Sequence, residues 1–325
     1  MYVYMCDELR KEEYICLIMK KIGVVLVRGL ILLFSKLPLK WLYAIGGVFS
    51  WFAYKVIHYR ESVVITNLAR SFPELRCWEL DDIAAAFYRH LGDIVAEAVW
   101  FGGSGYERIR KQRLCTIMNP EVLNEAFETT PGVVLLNSHC GNWEIMGGFC
   151  MYNYDDKHPN PYVEDDMYVV YKQQSSGVMD EVLKRNRINC KPDYQGLIES
   201  SQILRSVLKN KNNRSIYICN SDQHPYVGRF YLGEFLNQPT YAMKGVVGVA
   251  HKMNMSVVYM FVNGDRKQLM RVFQSSKQYR ENKAKEYYET MADEALEFIA
   301  DVKSKKTNSI PLREKNARFG QGKVK

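Results

Sequence analysis

Between Pro131 and Glu144 the chain passes from Pro-Gly punctuation through four consecutive apolar residues, Val133 to Leu136. It then enters the polar turn Asn137 to Asn142 and runs on into Trp143-Glu144-Ile145-Met146. A short apolar run bounded by turn residues signals a buried strand, and the pattern after the turn signals a helix start. Strand, loop and helix in that order open an α/β unit. Further strand and helix signals alternate on both sides, so the expected fold class is α/β, a mixed central sheet flanked by helices, with the active site at the carboxyl ends of strands. At 325 residues, 47% of them hydrophobic, the chain can bury one full core.

The turn carries the one arrangement that suggests chemistry. His139 is the only one of the six histidines with an acid five positions on, Glu144. Five positions on a helix turn through roughly 140° net, so the two side chains can meet only if His139 sits in the loop and Glu144 in the first helical turn. Asn142 suits the N-cap of that helix, whose positive end favours a carboxylate. The expectation is a dyad in which Glu144 fixes the imidazole and His139 takes a proton from an alcohol, with free N–H groups of the turn facing an oxyanion. The plainer reading is a histidine hydrogen-bonded inside a loop.

Down the chain, Leu80 to Trp100 has helical spacing, and its His90 is read as structural. Gly102 to Gly105 is a loop, and Asn119 to Phe127 a short helix. Met167 to Tyr171 reads as a strand with Lys172 at its end, Ser176 to Arg187 as a helix, and Gly196 to about Lys209 as another. Ser215 to Asn220 alternates as a strand, with Asp222-Gln223 just beyond it. Strand ends at His139, Lys172 and Asp222 can therefore converge on one cleft. Gly228 to Gln238 is a Gly- and aromatic-rich excursion. Thr240 to Lys252 has helix character, and Val257 to Val262 is the last apolar strand. Phe230, Tyr231, Phe235 and Tyr241 could line an acyl-chain tunnel or simply pack the core.

Several blocks, in order, carry a resemblance. Ser138-His139-Cys140-Gly141-Asn142-Trp143-Glu144 resembles the H-x-G-N-W-E block of the bacterial lipid A biosynthesis (lauroyl/myristoyl) acyltransferases, which are related to lysophospholipid acyltransferases. Asn67 to Pro73 resembles the family's N-L-x-x-S-F-P segment, Asp222-Gln223-His224-Pro225 its D-Q block, and Phe235 to Thr240 its F-x-x-x-x-T block. The likeness spans about residues 19 to 300. It implies a glycerolipid-acyltransferase-like fold and transfer of a fatty acyl chain from an acyl-carrier-protein or acyl-CoA thioester to a hydroxyl of a lipid acceptor, most closely a lipid A precursor. No cofactor is called for. His139 and Glu144 take the catalytic positions, while Asn142, Lys172, Arg187, Asp222 and Gln223 take substrate-binding ones. Lys172 stands where the family usually has arginine, which keeps the charge and loses the bidentate fork.

The flanks set the organisation: a leader over 1–18, a membrane anchor or embedded helical pair over 19–60, an acyltransferase domain over 61–300 and a basic, disordered tail over 301–325. Apolar runs from Ile22 to Leu39 and from Trp41 to Ile57 are broken by Arg28, Lys36 and Lys55, so neither is a clean span. Lys20, Lys21, Lys55 and Arg60 flank them, which favours contact with anionic headgroups from the cytoplasmic side, and the resemblance implies the inner membrane. The alternative is an amphipathic core helix. Eight scattered cysteines have neither zinc nor disulfide spacing. The tail lacks the family's W-x-W-x-H-R-R-W-K ending and holds eight basic residues against Glu314 alone in 302–325, as an altered or frame-shifted end would. The net charge of +8 thus resides largely there, and no nucleic-acid motif accompanies it, so no nucleic-acid partner is expected. Three rivals stand: transfer to a lysophospholipid or aminoacyl lipid, a thiol enzyme built on Cys140, and a non-catalytic lipid-binding membrane protein.

Overall fold

Alternation of inward- and outward-facing apolar residues along three adjacent strands decides the architecture. In a computed structural model, which describes residues 2–189, 191, 193–222, 229–243, 245–260 and 262, strands β1 (Gly132–Asn137), β2 (Met167–Tyr171), β3 (Leu197–Glu199), β4 (Ser215–Asn220) and β7 (Ser256–Met260) form one sheet. Its order is β3-β2-β4-β1-β7 and every pairing is parallel. The expected mixed sheet is corrected to a parallel one. Each strand is reached through a helical crossover, and the antiparallel pair β5 (Arg229–Phe235) and β6 (Gln238–Met243) forms a separate hairpin. Leu236 and Asn237 turn that hairpin with positive φ at both positions.

All of β1 is buried. One face of the sheet presents Val133, Leu135, Ile216, Ile218 and Met167 to a core completed by Trp100, Phe101, Ile145 and Phe149. The opposite face presents Val134, Leu136, Tyr217 and Cys219 to Ile203, Val207 and Ala250. Successive side chains point to opposite faces, so one run of four apolar residues feeds two cores.

Helices α1 (Tyr2–Phe34), α2 (Leu39–Lys55), α3 (Glu61–Ser71), α4 (Cys77–Phe101), α5 (Tyr106–Gln112) and α6 (Glu121–Thr129) precede the sheet. Helices α7 (Gly177–Arg187), α8 (Ile203–Lys209) and α9 (Gly245–Lys252) lie between its strands. The span 196–209 splits where one helix was expected: β3, a 3-10 turn and then α8. Three residues of edge strand are too few to show a period of two. What fixes them is tertiary, since Val169 N donates to Gly196 O at 2.8 Å.

Arg28, which interrupts the first apolar run, points inward. Its guanidinium donates to Gly102 O (3.1 Å), Asn186 Oδ1 (3.2 Å) and Asn189 Oδ1 (3.2 Å), tying α1 to the end of α4 and to α7. Arg108 donates to Ser35 O and Leu37 O, satisfying carbonyls freed where α1 ends. The outer faces of α1 and α2 remain apolar, with Val25 68%, Leu26 62%, Trp41 59% and Trp51 59% exposed. Among the described residues no helix is long and apolar enough to cross a membrane. The tail over 301–325 lies outside the described residues.

Candidate active site

Strand register builds the site. Asn137 of β1 pairs with Asn220 of β4, so the residues two further along each chain, His139 and Asp222, leave the sheet side by side. Asp222 takes hold of the histidine twice. Its Oδ2 accepts from His139 backbone N at 2.6 Å and its Oδ1 lies 2.6 Å from His139 Nδ1. A carboxylate at Nδ1 requires the proton there, which leaves Nε2 as the lone-pair side of a neutral ring. The two side chains are 26% and 31% exposed, so the ring is braced yet open to a substrate. Trp143 meets the imidazole edge-on, with centroids 4.7 Å apart at 64°.

Here the expected dyad is corrected: the carboxylate on the imidazole is that of Asp222, and Glu144 is engaged by Arg187. Glu144 Oε1 accepts from Arg187 Nη2 at 2.7 Å and Oε2 from Arg187 Nε at 2.9 Å, both side chains being 13% exposed. Two physical reasons account for this. The guanidinium fork matches both carboxylate oxygens at once. The chain after the turn is also a 3-10 helix, Trp143–Met151, which lies against the end of α7 so closely that a Cβ on Gly147 would fall 1.8 Å from Arg187 O. Arg187, a substrate-binding candidate, is therefore a bracing cation in this structure.

The turn is shaped by Gly141, whose φ is +68° and where a Cβ would lie 2.6 Å from Val262 Cγ1. Asn142 is the N-cap, as its type suggests: its Oδ1 accepts from Glu144 N at 3.0 Å. Its Nδ2 donates to Ile94 O and Glu97 Oε2, anchoring the turn on α4. Buried, Asn142 anchors the turn through both ends of its side-chain amide. Lys172 follows β2, which neighbours β4, so it lies on the same edge of the sheet, one strand further from His139 than Asp222. Gln223 and His224 lie outside the described residues. His90 is held below its usual range by burial, with Glu97 and Asp93 opposing, as a packed histidine would be.

The start of α7 carries a second cluster. Asp180 accepts from Lys184 at 2.6 Å and from Gln174 N at 3.0 Å, while Lys184 sits over the Tyr171 ring. Burial alone would push the Asp180 carboxyl up, but these hydrogen bonds hold it below the usual carboxylate range. Lys184 is raised, chiefly by its bond to Asp180. At the hairpin, Asn237 and Gln238 donate to Ser71 O and Ser71 Oγ, so the Ser71-Phe72-Pro73 segment meets the Phe235-to-Thr240 segment in space. Tyr231 and Tyr241 touch edge-on, and Tyr231 is 49% exposed.

A parallel α/β sheet carrying a carboxylate-braced histidine at its strand ends defines a class of protein equipped to take a proton from a bound hydroxyl. The model of the bacterial lipid A biosynthesis acyltransferase family matches residues 9–302, and the chain belongs to that family. It is accordingly an acyltransferase of lipid A biosynthesis by family. No individual curated protein gives a significant match.

Proposed function

We propose that the protein moves a fatty acyl chain from the thioester of an acyl-carrier protein or of coenzyme A to a hydroxyl of a lipid A precursor, at the cytoplasmic face of the inner membrane. The observation that carries this reading is the double hold of Asp222 on His139. With Nδ1–H donated to Asp222, Nε2 accepts the proton of the acceptor hydroxyl. The alkoxide attacks the thioester carbonyl and an oxyanion forms. Its collapse breaks the C–S bond, and the departing thiolate takes the proton back from Nε2. Asp222 stabilises the imidazolium between those events, and the Glu144–Arg187 pair keeps the turn in place.

Attachment to the membrane is supported by the apolar outer faces of α1 and α2, and a lipid acceptor would be met there. The basic residues that flank those helices' apolar runs in the sequence, Lys20, Lys21, Lys55 and Arg60, suit anionic headgroups. The deciding experiment pairs His139→Ala with lipid mass spectrometry. Loss of one acyl chain from lipid A in cells carrying only the variant, with membrane binding retained, supports the proposal. Unchanged lipid A with a missing phospholipid or aminoacyl-lipid species would move the acceptor to those lipids, and full turnover by the variant would dismiss the histidine.

A further inference from the structure

We infer that Asn220, backed by Asn137, is a positioning residue that keeps His139 unprotonated on its reactive side. The two asparagines are register partners at the ends of β4 and β1, and Asn137 is fully buried. Asn137 Nδ2 donates to Asn220 Oδ1 at 2.9 Å, which leaves Asn220 Nδ2 facing His139 Nε2 at 3.5 Å.

The direction of this chain of bonds matches a neutral ring at its His139 end. An ionised Asp222 only accepts, so Nδ1 carries hydrogen and Nε2 of the neutral ring accepts. The amide atom facing Nε2 must then be nitrogen, its oxygen must face Asn137, and Asn137 must answer with its own nitrogen. That order turns Asn137 Oδ1 away, and among the described residues this buried oxygen has no hydrogen-bond partner.

An amide N–H at Nε2 opposes a second proton there. At 3.5 Å the contact is long, and an incoming hydroxyl can replace it without breaking a strong bond. No such role follows from the H-x-G-N-W-E block, because both asparagines lie outside it. The consequence for rate rests on the acyl-transfer reading, whereas the proton inventory of the ring does not.

The test is the 15N spectrum of the His139 imidazole in the full-length protein in mildly alkaline buffer. The wild-type ring should show hydrogen on Nδ1 and a bare Nε2. Asn220→Asp, nearly identical in shape, replaces the donor by an acceptor and should show hydrogen on both nitrogens, with kcat lowered about tenfold or more and KM little changed. Asn220→Gln, which restores a donor, should return the ring to the wild-type spectrum. A folded Asn220→Asp protein with the wild-type spectrum overturns the proposal. If that variant does not fold, a wild-type spectrum with hydrogen on Nε2 overturns it equally. The predicted spectra in a protein without acyl-transfer activity would leave the positioning role standing and fail the proposed reaction.

Discussion

The division of labour between two carboxylates separates what Asp222 and Glu144 should do when changed one at a time. Asp222→Asn keeps the shape and loses the charge that fixes Nδ1–H and stabilises the imidazolium, so kcat for acyl transfer should fall by about 10²- to 10⁴-fold at nearly unchanged stability. Glu144→Gln leaves both Asp222 contacts intact and strands the Arg187 guanidinium, so it should destabilise more than Asp222→Asn does, as chemical denaturation would show. An equal loss of kcat in both with no loss of stability in either would contradict this assignment. The thiols divide just as sharply. Burial pushes Cys219 up to about 12 and Cys115 up to about 11, while Cys77 is exposed. A maleimide should label Cys77 in the native protein, and Cys219 only once the protein is unfolded.

At the scale of elements, α7 braces the site through Arg187 at its last turn. Arg187→Ala would leave the largely enclosed Glu144 carboxylate without its guanidinium, which costs about 3–5 kcal/mol for a buried pair and the lower part of that range at 13% exposure. Urea unfolding measures it directly. At the other end the Asp180–Lys184 pair makes α7 acid-sensitive. The Asp180 carboxyl sits below its ordinary value in the folded chain, so its contribution is complete above that ordinary value and is lost as pH falls through the depressed one. Unfolding curves of the wild type and Asp180→Asn should differ at neutral pH and converge at the acid end of that window. Lys184 behaves oppositely: its contribution is complete below the ordinary lysine value and is lost as pH rises through the raised one.

For the whole molecule, the apolar faces of α1 and α2 predict how it meets its substrate. Sedimentation with anionic vesicles should bring down the wild-type protein, and Trp41→Glu with Trp51→Glu should release it without changing its unfolding transition, because both rings are exposed. If the double variant still sediments fully, these faces do not hold the protein to lipid. Much of this architecture was legible from the chain. The limits of β2 and β4 follow from Met167 to Tyr171 and Ser215 to Asn220, and α4 and α7 from their spacing, because apolar periodicity is local information. Local information also placed His139 in a loop, Asn142 at an N-cap and a family signature across the site. It could not give the order β3-β2-β4-β1-β7, nor therefore that residue 222 would stand beside residue 139. Pairing between strands 83 residues apart is chosen by how two cores close around the sheet. Which carboxylate reached the imidazole was settled in the same way: nearness along the chain favoured Glu144, while the sheet register delivered Asp222 and the close seat of α7 on Gly147 gave Glu144 to Arg187.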